Sequence, residues 1–396
     1  MKVIYTGAFR FPDKDAASQR VLNIGKIFQK LGYEVIFFGW EKKERLQDIS
    51  FEKKYFYENF QYVSQNELDQ ISSNLFSKLS NFIFRGDRTL ENISNYIKNN
   101  DVKYIVAYNA NSLFLYKLYK LAEKHDIKLI CDCTEWYEPE HLPGGRYGLA
   151  NFDNNYRIKR IYPLIKNVIV ISSYLEKYLK HKGCNTLILP PLVDLEEEKW
   201  RFNLQRVGST RDRIRLIYAG NPGKKDLLSP FFEALKTVNS QHHFELIILG
   251  SSEAYIKENY FKDQDIIPDY IKVNGRIPMS EVPSLYRTAD YSILLREDKR
   301  YAHAGFPTKL VESLTCGVPL ITNDTSDIKK YIKNGFNGFV LEGNSVIKII
   351  ACLKFLKQVT NDEIDTMKKN ARQTSYENFD YSLYSNQFEN YLDSLN

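Results

Sequence analysis

Tyr301–Asn323 reads YAHAGFPTKLVESLTCGVPLITN. The stretch is expected to start in a loop, run through one short helix and end in a buried strand. Gly305 and Pro307 punctuate the loop, and a proline near the first helical position has a backbone already set for helix entry. Thr308 to Cys316 reads as the helix, Gly317 stops it, and Val318, Leu320 and Ile321 make a short apolar strand. A loop that feeds a helix N-terminus presents free backbone N–H groups and a positive dipole end, which suits an anion such as a diphosphate. Glu312 falls one turn inside, where a carboxylate can accept from two sugar hydroxyls, and Lys309 adds a cation beside the phosphates. A proline-started helix with a solvated glutamate is the plainer alternative.

Outward from this stretch the chain alternates apolar strands with amphipathic helices. Lys2 to Thr6 and Glu34 to Phe38 read as strands around a helix at Ala17 to Lys30, whose Val21, Ile24, Ile27 and Phe28 have helical spacing. Phe51 to Val63 is aromatic-rich, with room for one or two short strands. Ile71 to Phe84 and Thr89 to Lys98 read as helices. Further strands are expected at Tyr104 to Ala107, Lys128 to Cys131 and Val168 to Ile171. A second alternating unit runs from Ile214, with strands near Glu245 to Leu249, Ile271 to Asn274, Tyr291 to Leu295, Pro319 to Thr322 and Phe339 to Leu341. Between the units, Leu192 to Arg213 is charged and irregular and reads as the interdomain connection. Such alternation implies mostly parallel sheets with helices on both faces and a ligand crevice at the carboxyl ends of the strands.

The chain has 396 residues, which favours two domains over one core. Hydrophobic content of 43% and charged content of 26% suit a soluble globular protein, and no apolar run is long enough for a transmembrane helix. The opening MKVIYTGAFRFP is too soon interrupted by Gly, Arg and Pro for a signal peptide. The five cysteines, Cys131, Cys133, Cys184, Cys316 and Cys352, are odd in number and lack zinc spacing, which favours a reducing cytoplasm and no structural metal. The six histidines form no metal-like cluster and no Asp-x-Asp follows an apolar strand, so no metal cofactor is expected. A formal charge of +6 is too dilute for nucleic acid but can attract polyanionic donors or anionic lipid headgroups, an ordinary solvated surface being the plainer alternative.

Four more segments carry candidate chemistry. In RLIYAGNPGKKDLL, Arg215 to Leu228, a strand ends at Gly220, Asn221-Pro222-Gly223 turns the chain, and Lys224 and Lys225 offer charge to a diphosphate. Asp226 is expected to cap the helix that follows. In GAFRFPDKDAASQR, from Gly7 to Arg20, small residues allow close approach to a helix start, and Arg10 and Arg20 are the cations. CDCTEWYEPEHLPGGR, from Cys131, follows a buried strand with acids and aromatics on one loop. There Glu135, with Asp132 as runner-up, reads as the acidic group, and Trp136 and Tyr137 read as stacking surfaces. Asp132 bonding a neighbouring loop and Trp136 filling the domain's edge is the other reading. Finally, Arg296 in LLREDKR follows a buried strand.

The Tyr301–Asn323 stretch resembles the nucleotide-sugar signature of the family 4 retaining glycosyltransferases: Glu, seven residues, Glu, with Phe-Gly after the first Glu and a small-Gly-x-Pro turn after the second. Glu312 matches the second Glu, Phe306 the Phe, and Cys316-Gly317-Val318-Pro319 the turn. Ala304 stands where the first Glu is expected and Pro307 where the Gly is. The arrangement is similar to a subgroup in which an Arg (here Arg296) and the Pro307-Thr308-Lys309 run replace that Glu. The resemblance implies a GT-B fold: two doubly wound Rossmann-like domains facing across a cleft, with a C-terminal helix crossing back. Residues 1–195 would form the acceptor-side domain, 196–375 the nucleotide-sugar domain, and 376–396 the returning helix, matched by the helical spacing of Tyr381 to Leu395.

It further implies that Glu312 holds the donor ribose and that Lys225, which looks like the family's diphosphate lysine, acts with Lys309 and Arg296 on the leaving group. Gly220, Asn221, Gly250, Gly275 and Arg276 would line the donor, the last two in the loop that meets the nucleobase. Gly7 and Arg10 would reach it from the first domain. Glu135 would stand near the donor sugar, with the acceptor entering beside Arg10, Asp132, Trp136 and Tyr137. The implied activity is transfer of a hexosyl-type sugar from a UDP- or GDP-sugar, with retention, to a glycan or lipid-linked acceptor in bacterial surface or capsular polysaccharide synthesis. The implied place is the cytoplasm, peripheral at the membrane's inner face. The alternatives are a non-catalytic GT-B partner subunit, which the loss at Ala304 suggests, a nucleotide-sugar epimerase, and a protein glycosyltransferase.

Overall fold

The computed structural model describes residues 1–12, 15–41, 55–67, 75–201, 213–223, 225–262 and 266–395. The chain divides into two compact units. One comprises residues 1–193, 304–306 and 381–396; the other comprises 194–303 and 307–380. Half of the segment expected to connect two domains, 202–212 of 192–213, lies outside the described residues.

In the first unit the strands are β1 (Lys2–Gly7), β2 (Glu34–Glu41), β3 (Tyr55–Tyr57), β4 (Phe60–Asn66), β5 (Val102–Tyr108), β6 (Lys128–Cys133), β7 (Asn167–Val170) and β8 (Asn185–Ile188). They form one sheet in the order β3-β4-β2-β1-β5-β6-β7-β8. Only the β3–β4 hairpin is antiparallel among these pairs. The near-continuous apolar runs of β1 and β5 follow from burial on both faces, which parallel sheets require. The order reverses between β1 and β5, so the switch point lies there. At its carboxyl edge Gly7 has φ +128, and a Cβ on it would lie 2.2 Å from the Tyr108 carbonyl oxygen. Glycine at 7 is therefore set by the approach of two strand ends.

The chain's last helix, Ser385–Asp393, belongs to this unit. Phe388, Tyr391, Leu392 and Leu395 join its hydrophobic core, and the Phe388 ring meets Phe28 edge-on at 4.7 Å. The helix at Ala16–Lys30 presents the other side of that contact. It starts at Asp15, whose side chain accepts from the Ser18 N–H while Ser18 returns a bond to the Asp15 N–H.

In the second unit the strands are β9 (Ile214–Ala219), β10 (Phe244–Leu249), β11 (Ile271–Val273), β12 (Tyr291–Leu294), β13 (Leu320–Asn323) and β14 (Gly338–Leu341). Their order is β11-β10-β9-β12-β13-β14, and every pair is parallel. This doubly wound sheet reverses between β9 and β12. Residues 220–223, 225–226 and 295–300 leave its carboxyl edge at that point.

Two local expectations are corrected. The chain from Arg300 to Ala304 is a short helix rather than a loop, and the loop proper is only Gly305 to Pro307. Alanine at 302 and 304, both buried, suits a tight helical turn. The helix after the lysine turn begins at Ser229 with Leu228 as its flanking residue and Pro230 in its first turn, so Asp226 does not cap it. Among the described residues the helix expected at Ile71 to Phe84 spans Leu75–Phe84.

Candidate donor site

The helix Thr308–Thr315 is the centre of the site. Pro307 occupies its N-cap position at φ −76° and ψ 116°, with no side-chain acceptor for the first-turn N–H groups. The Leu310 N–H donates to the Pro307 carbonyl at 3.1 Å, while the Thr308 and Lys309 N–H groups have no partner among the described residues and stand open at the helix start. Leu310, Val311 and Leu314 bury the opposite face. Ser313 fixes the helix to the sheet, its Oγ lying 2.6 Å from Ser292 Oγ on β12 and donating to the Val318 carbonyl. Arg372 caps the far end by donating to the Thr315 carbonyl.

Glu312 is half-buried one turn in from the start. Its carboxylate has no hydrogen-bond partner among the described residues. Burial pushes its carboxyl above the ordinary glutamate value, and the positive charges of Lys309 and Lys199 offset this in part. Lys199 lies in a single helical turn, Glu198–Trp200, tied to the same unit by the Arg287 guanidinium donating to its carbonyl at 3.1 Å.

Lys309 points back across the strand ends. Its ammonium pairs with Asp226 and donates to the Tyr218 hydroxyl at 3.2 Å, over the Tyr218 ring at 4.8 Å. Its stem crosses Gly220: a Cβ there would lie 2.6 Å from Lys309 Cε, and φ of +127 already disfavours other residues. Gly250 packs close to it, a Cβ on it falling 3.1 Å from the Gly220 backbone. Its N–H donates to the Gly275 carbonyl, which joins three of the predicted glycines at one edge.

Arg296, at the end of β12, donates through Nε to Asp226 at 2.9 Å. Asn323 holds its backbone from both sides, accepting from its N–H and donating to its carbonyl at 2.8 Å each. The two Nη groups make no hydrogen bond among the described residues. Asp226 is thus the shared counter-ion of two cations and also accepts from the Tyr218 hydroxyl at 2.8 Å. Burial works to raise its pKa, but Lys309 and Arg296 outweigh it and hold the carboxyl well below the usual range. One carboxylate against Lys309 and Arg296 leaves the cluster one positive charge in excess.

Lys225 is half-buried in the same loop, with its carbonyl held by the Tyr301 hydroxyl at 2.8 Å. Lys224 lies outside the described residues. Asn221 is exposed and accepts from the Gly223 N–H at 3.1 Å, closing the turn. Arg276 is exposed beside Gly275, whose φ is +64. The second unit therefore gathers Gly220, Asn221, Lys225, Gly250, Gly275, Arg296, Lys309 and Glu312 at one sheet edge. Sequence reasoning missed Asp226 and Tyr218, which hold the cations.

Gly7, Arg10 and Phe306 belong to the first unit. Arg10 donates to Asp15 at 2.7 Å, and Phe306 is buried. Two acceptor-side expectations are corrected by burial. Asp132, fully buried at the end of β6, is held by Arg20 through Nε and Nη2 and by the Tyr5 hydroxyl at 2.7 Å. Arg20 also donates to the carbonyls of Leu189 and Pro190. Trp136 is buried, its indole N–H on Asn155 and its ring against Tyr178 at 4.7 Å. A ring packed this way serves the interior. Glu135 and Tyr137 stay half-buried and bond each other.

Residues 201–374 match the protein family described as "Glycosyl transferases group 1". UDP-Gal:alpha-D-GlcNAc-diphosphoundecaprenol alpha-1,3-galactosyltransferase of Escherichia coli is 25% identical over 198 residues, 47% of this chain and 48% of that protein. The putative colanic acid biosynthesis glycosyltransferase WcaL of Salmonella typhimurium is 22% identical over 223 residues, 55% of this chain and 54% of its own. The chain spans about half the length of these curated relatives. Sucrose-phosphate synthase from Thermosynechococcus elongatus is similar in structure with a TM-score of 0.75 at 15% identity, over 100% of this chain and 98% of that one. Anabaena Alr3699/HepE, solved in complex with UDP and glucose, gives 0.66 at 14% identity over 100% of both chains. The fold is accordingly the two-domain α/β architecture of GT-B glycosyltransferases.

Proposed function

We propose that this protein is a glycosyltransferase that moves a sugar from a nucleotide-sugar donor, a UDP- or GDP-sugar, to a glycan or lipid-linked acceptor. The carrying observation is Glu312: a half-buried carboxylate without a partner among the described residues, one turn inside a helix whose first two N–H groups have no partner among them either. A ribose diol would satisfy that carboxylate. The diphosphate would then meet the helix N-terminus, Lys309, Lys225 and the open Nη groups of Arg296. Positive charge fixed where the leaving group gains negative charge lowers the barrier to bond breaking. These cations take the place of a metal in this reading, and no cofactor is proposed. Retention is proposed, the leaving phosphate accepting the acceptor's proton.

On the first unit, Glu135 and Tyr137 are proposed beside the acceptor, with Arg10 at the same edge. Asp132 and Arg20 would act from behind, fixing the ends of β6 and the Ala16–Lys30 helix. The names of the curated relatives, which mention a diphosphoundecaprenol substrate and colanic acid, support bacterial surface polysaccharide synthesis on a lipid carrier. Work on such an acceptor would place the protein at the inner face of the membrane.

Calorimetric titration with UDP and with GDP, with and without Mg²⁺, tests the donor site. Metal-independent binding of one nucleotide, lost in Glu312→Ala, is expected. Binding of neither would overturn the donor assignment.

A further inference from the structure

The helix Leu149–Tyr156 runs through a π-helical turn, Arg157–Ile161, into Tyr162–Ile165, making one rod. One side is interior: Asp153, Asn154, Arg157, Ile158, Ile161 and Tyr162 are buried. The other side is apolar as well. Leu149, Phe152, Tyr156 and Leu164 are exposed, Phe152 by 66%, and the Phe152 and Tyr156 rings stack at 5.8 Å. The spacing, three or four residues at the start and eight across the π turn, keeps them in one stripe. A surface helix normally shows water a polar face.

The charges on this rod are one-sided. Lys159, Arg160 and Lys166 are exposed, and among the described residues none of them has an ion pair. The rod's one carboxylate, Asp153, is buried and accepts from the Ser112 N–H and hydroxyl. The neighbouring helix Leu75–Phe84 repeats the pattern, with Leu79, Ile83 and Phe84 exposed. Both helices line a single cavity of about 680 Å³, with Asn81 and Phe82 from one and Leu149 and Ala150 from the other. Tyr147, 94% exposed, is also at its edge. Among the described residues no helix is long and apolar enough to cross a membrane, so these side chains belong to a surface.

We propose that this face of the first unit docks on an anionic lipid bilayer. Aromatic and aliphatic side chains would enter the headgroup boundary while Lys159, Arg160 and Lys166 meet lipid phosphates, the division of labour of an in-plane interfacial helix. The unpaired cations select a bilayer over a second copy of this chain, whose matching face is equally positive. The assignment rests on the lipid-linked acceptor proposed above.

Flotation of the purified chain with vesicles of phosphatidylethanolamine and phosphatidylglycerol, and with vesicles of phosphatidylcholine alone, tests it. Binding to the anionic vesicles only, weakened by salt, is expected. Lys159→Glu with Arg160→Glu should lower binding about tenfold or more, and Phe152→Ser with Tyr156→Ser should do likewise. Nucleotide titration of each variant separates the two readings: retained nucleotide affinity with lost vesicle binding supports docking by this face. Phe152→Trp adds a direct probe, since a blue shift of the new indole on anionic vesicles reports insertion. Vesicle binding unchanged in both double variants, no vesicle binding at all, or self-association of the wild type that the variants abolish, would each overturn the proposal whatever the nucleotide result.

Discussion

Asp226 receives the Nε–H of Arg296 at 2.9 Å across the point where the strand order of the second sheet reverses. The pair joins the loop after β9 to the end of β12, and the Leu227 N–H donates to the Leu295 carbonyl at 2.7 Å just beside it. The carboxylate is nearly inaccessible and serves Lys309 too. It sets where these two cations can stand.

Asp226→Asn should therefore destabilise the protein by about 3–5 kcal/mol at neutral pH, because two half-buried cations lose their counter-charge. The sign of the pH effect follows from a native pKa held below the unfolded one. The stability that Asp226 contributes is present above the unfolded value, near pH 4, and is lost as the pH falls below it. The variant's stability should thus fall less steeply in acid than the wild type's. Denaturant melts at neutral and acid pH measure both; parallel curves for the two proteins would refute the linkage.

Gly220→Ala tests placement rather than charge. The new Cβ meets the Lys309 stem, and the backbone sits at φ +127. Two costs add: backbone strain of about 1–3 kcal/mol and a displaced ammonium. Nucleotide affinity should fall about tenfold or more while Lys309 itself remains. Calorimetry on Gly220→Ala beside Lys309→Met would show similar losses; full affinity in Gly220→Ala would mean that Lys309 acts from elsewhere.

Glu312→Gln should divide stability from binding. Burial raises the carboxyl's pKa in the folded state, so ionisation opposes folding as pH rises above the ordinary glutamate range. Removing that charge should make the ligand-free protein more stable at neutral pH. The same change should weaken hydrogen bonds to the proposed ribose diol, worth about 1.5–3 kcal/mol each with a charged acceptor, or roughly ten- to a hundredfold in Kd. Thermal melts with and without nucleotide measure both; a destabilised variant that still binds would sink the assignment.

Local signals carried much of this site. The Pro307–Lys309 helix start, Glu312 and the glycines at strand ends are each legible within a few residues, because caps and turns are local chemistry. Asp226 was not. A carboxylate three residues after a Pro-Gly turn is as good a helix cap as an ion-pair acceptor, and its partners Arg296 and Lys309 come from distant parts of the sequence. Trp136 failed for a related reason: a strand-end aromatic looks the same whether it faces a ligand or its own domain's interior. The Arg300–Ala304 helix was masked by Gly305, which punctuates the chain only one residue later.

Arg20 and Asp132 pose the corresponding question for the first unit. Arg20, on the Ala16–Lys30 helix, is almost fully buried and binds Asp132 at the end of β6 as well as the carbonyls of Leu189 and Pro190. Arg20→Met should cost about 3–5 kcal/mol, since Asp132 is left charged in the interior. Arg20→Met with Asp132→Asn should recover a large part of that loss, because the stranded charge is removed along with its partner. A double-mutant cycle by denaturant melts gives the coupling. If the pair only holds the fold together, the double variant recovers the proposed sugar transfer along with stability. If it also orients Glu135 for the acceptor, stability returns while kcat stays low. Equal losses from the single and double variants would show that the packing of Arg20, not its charge, matters.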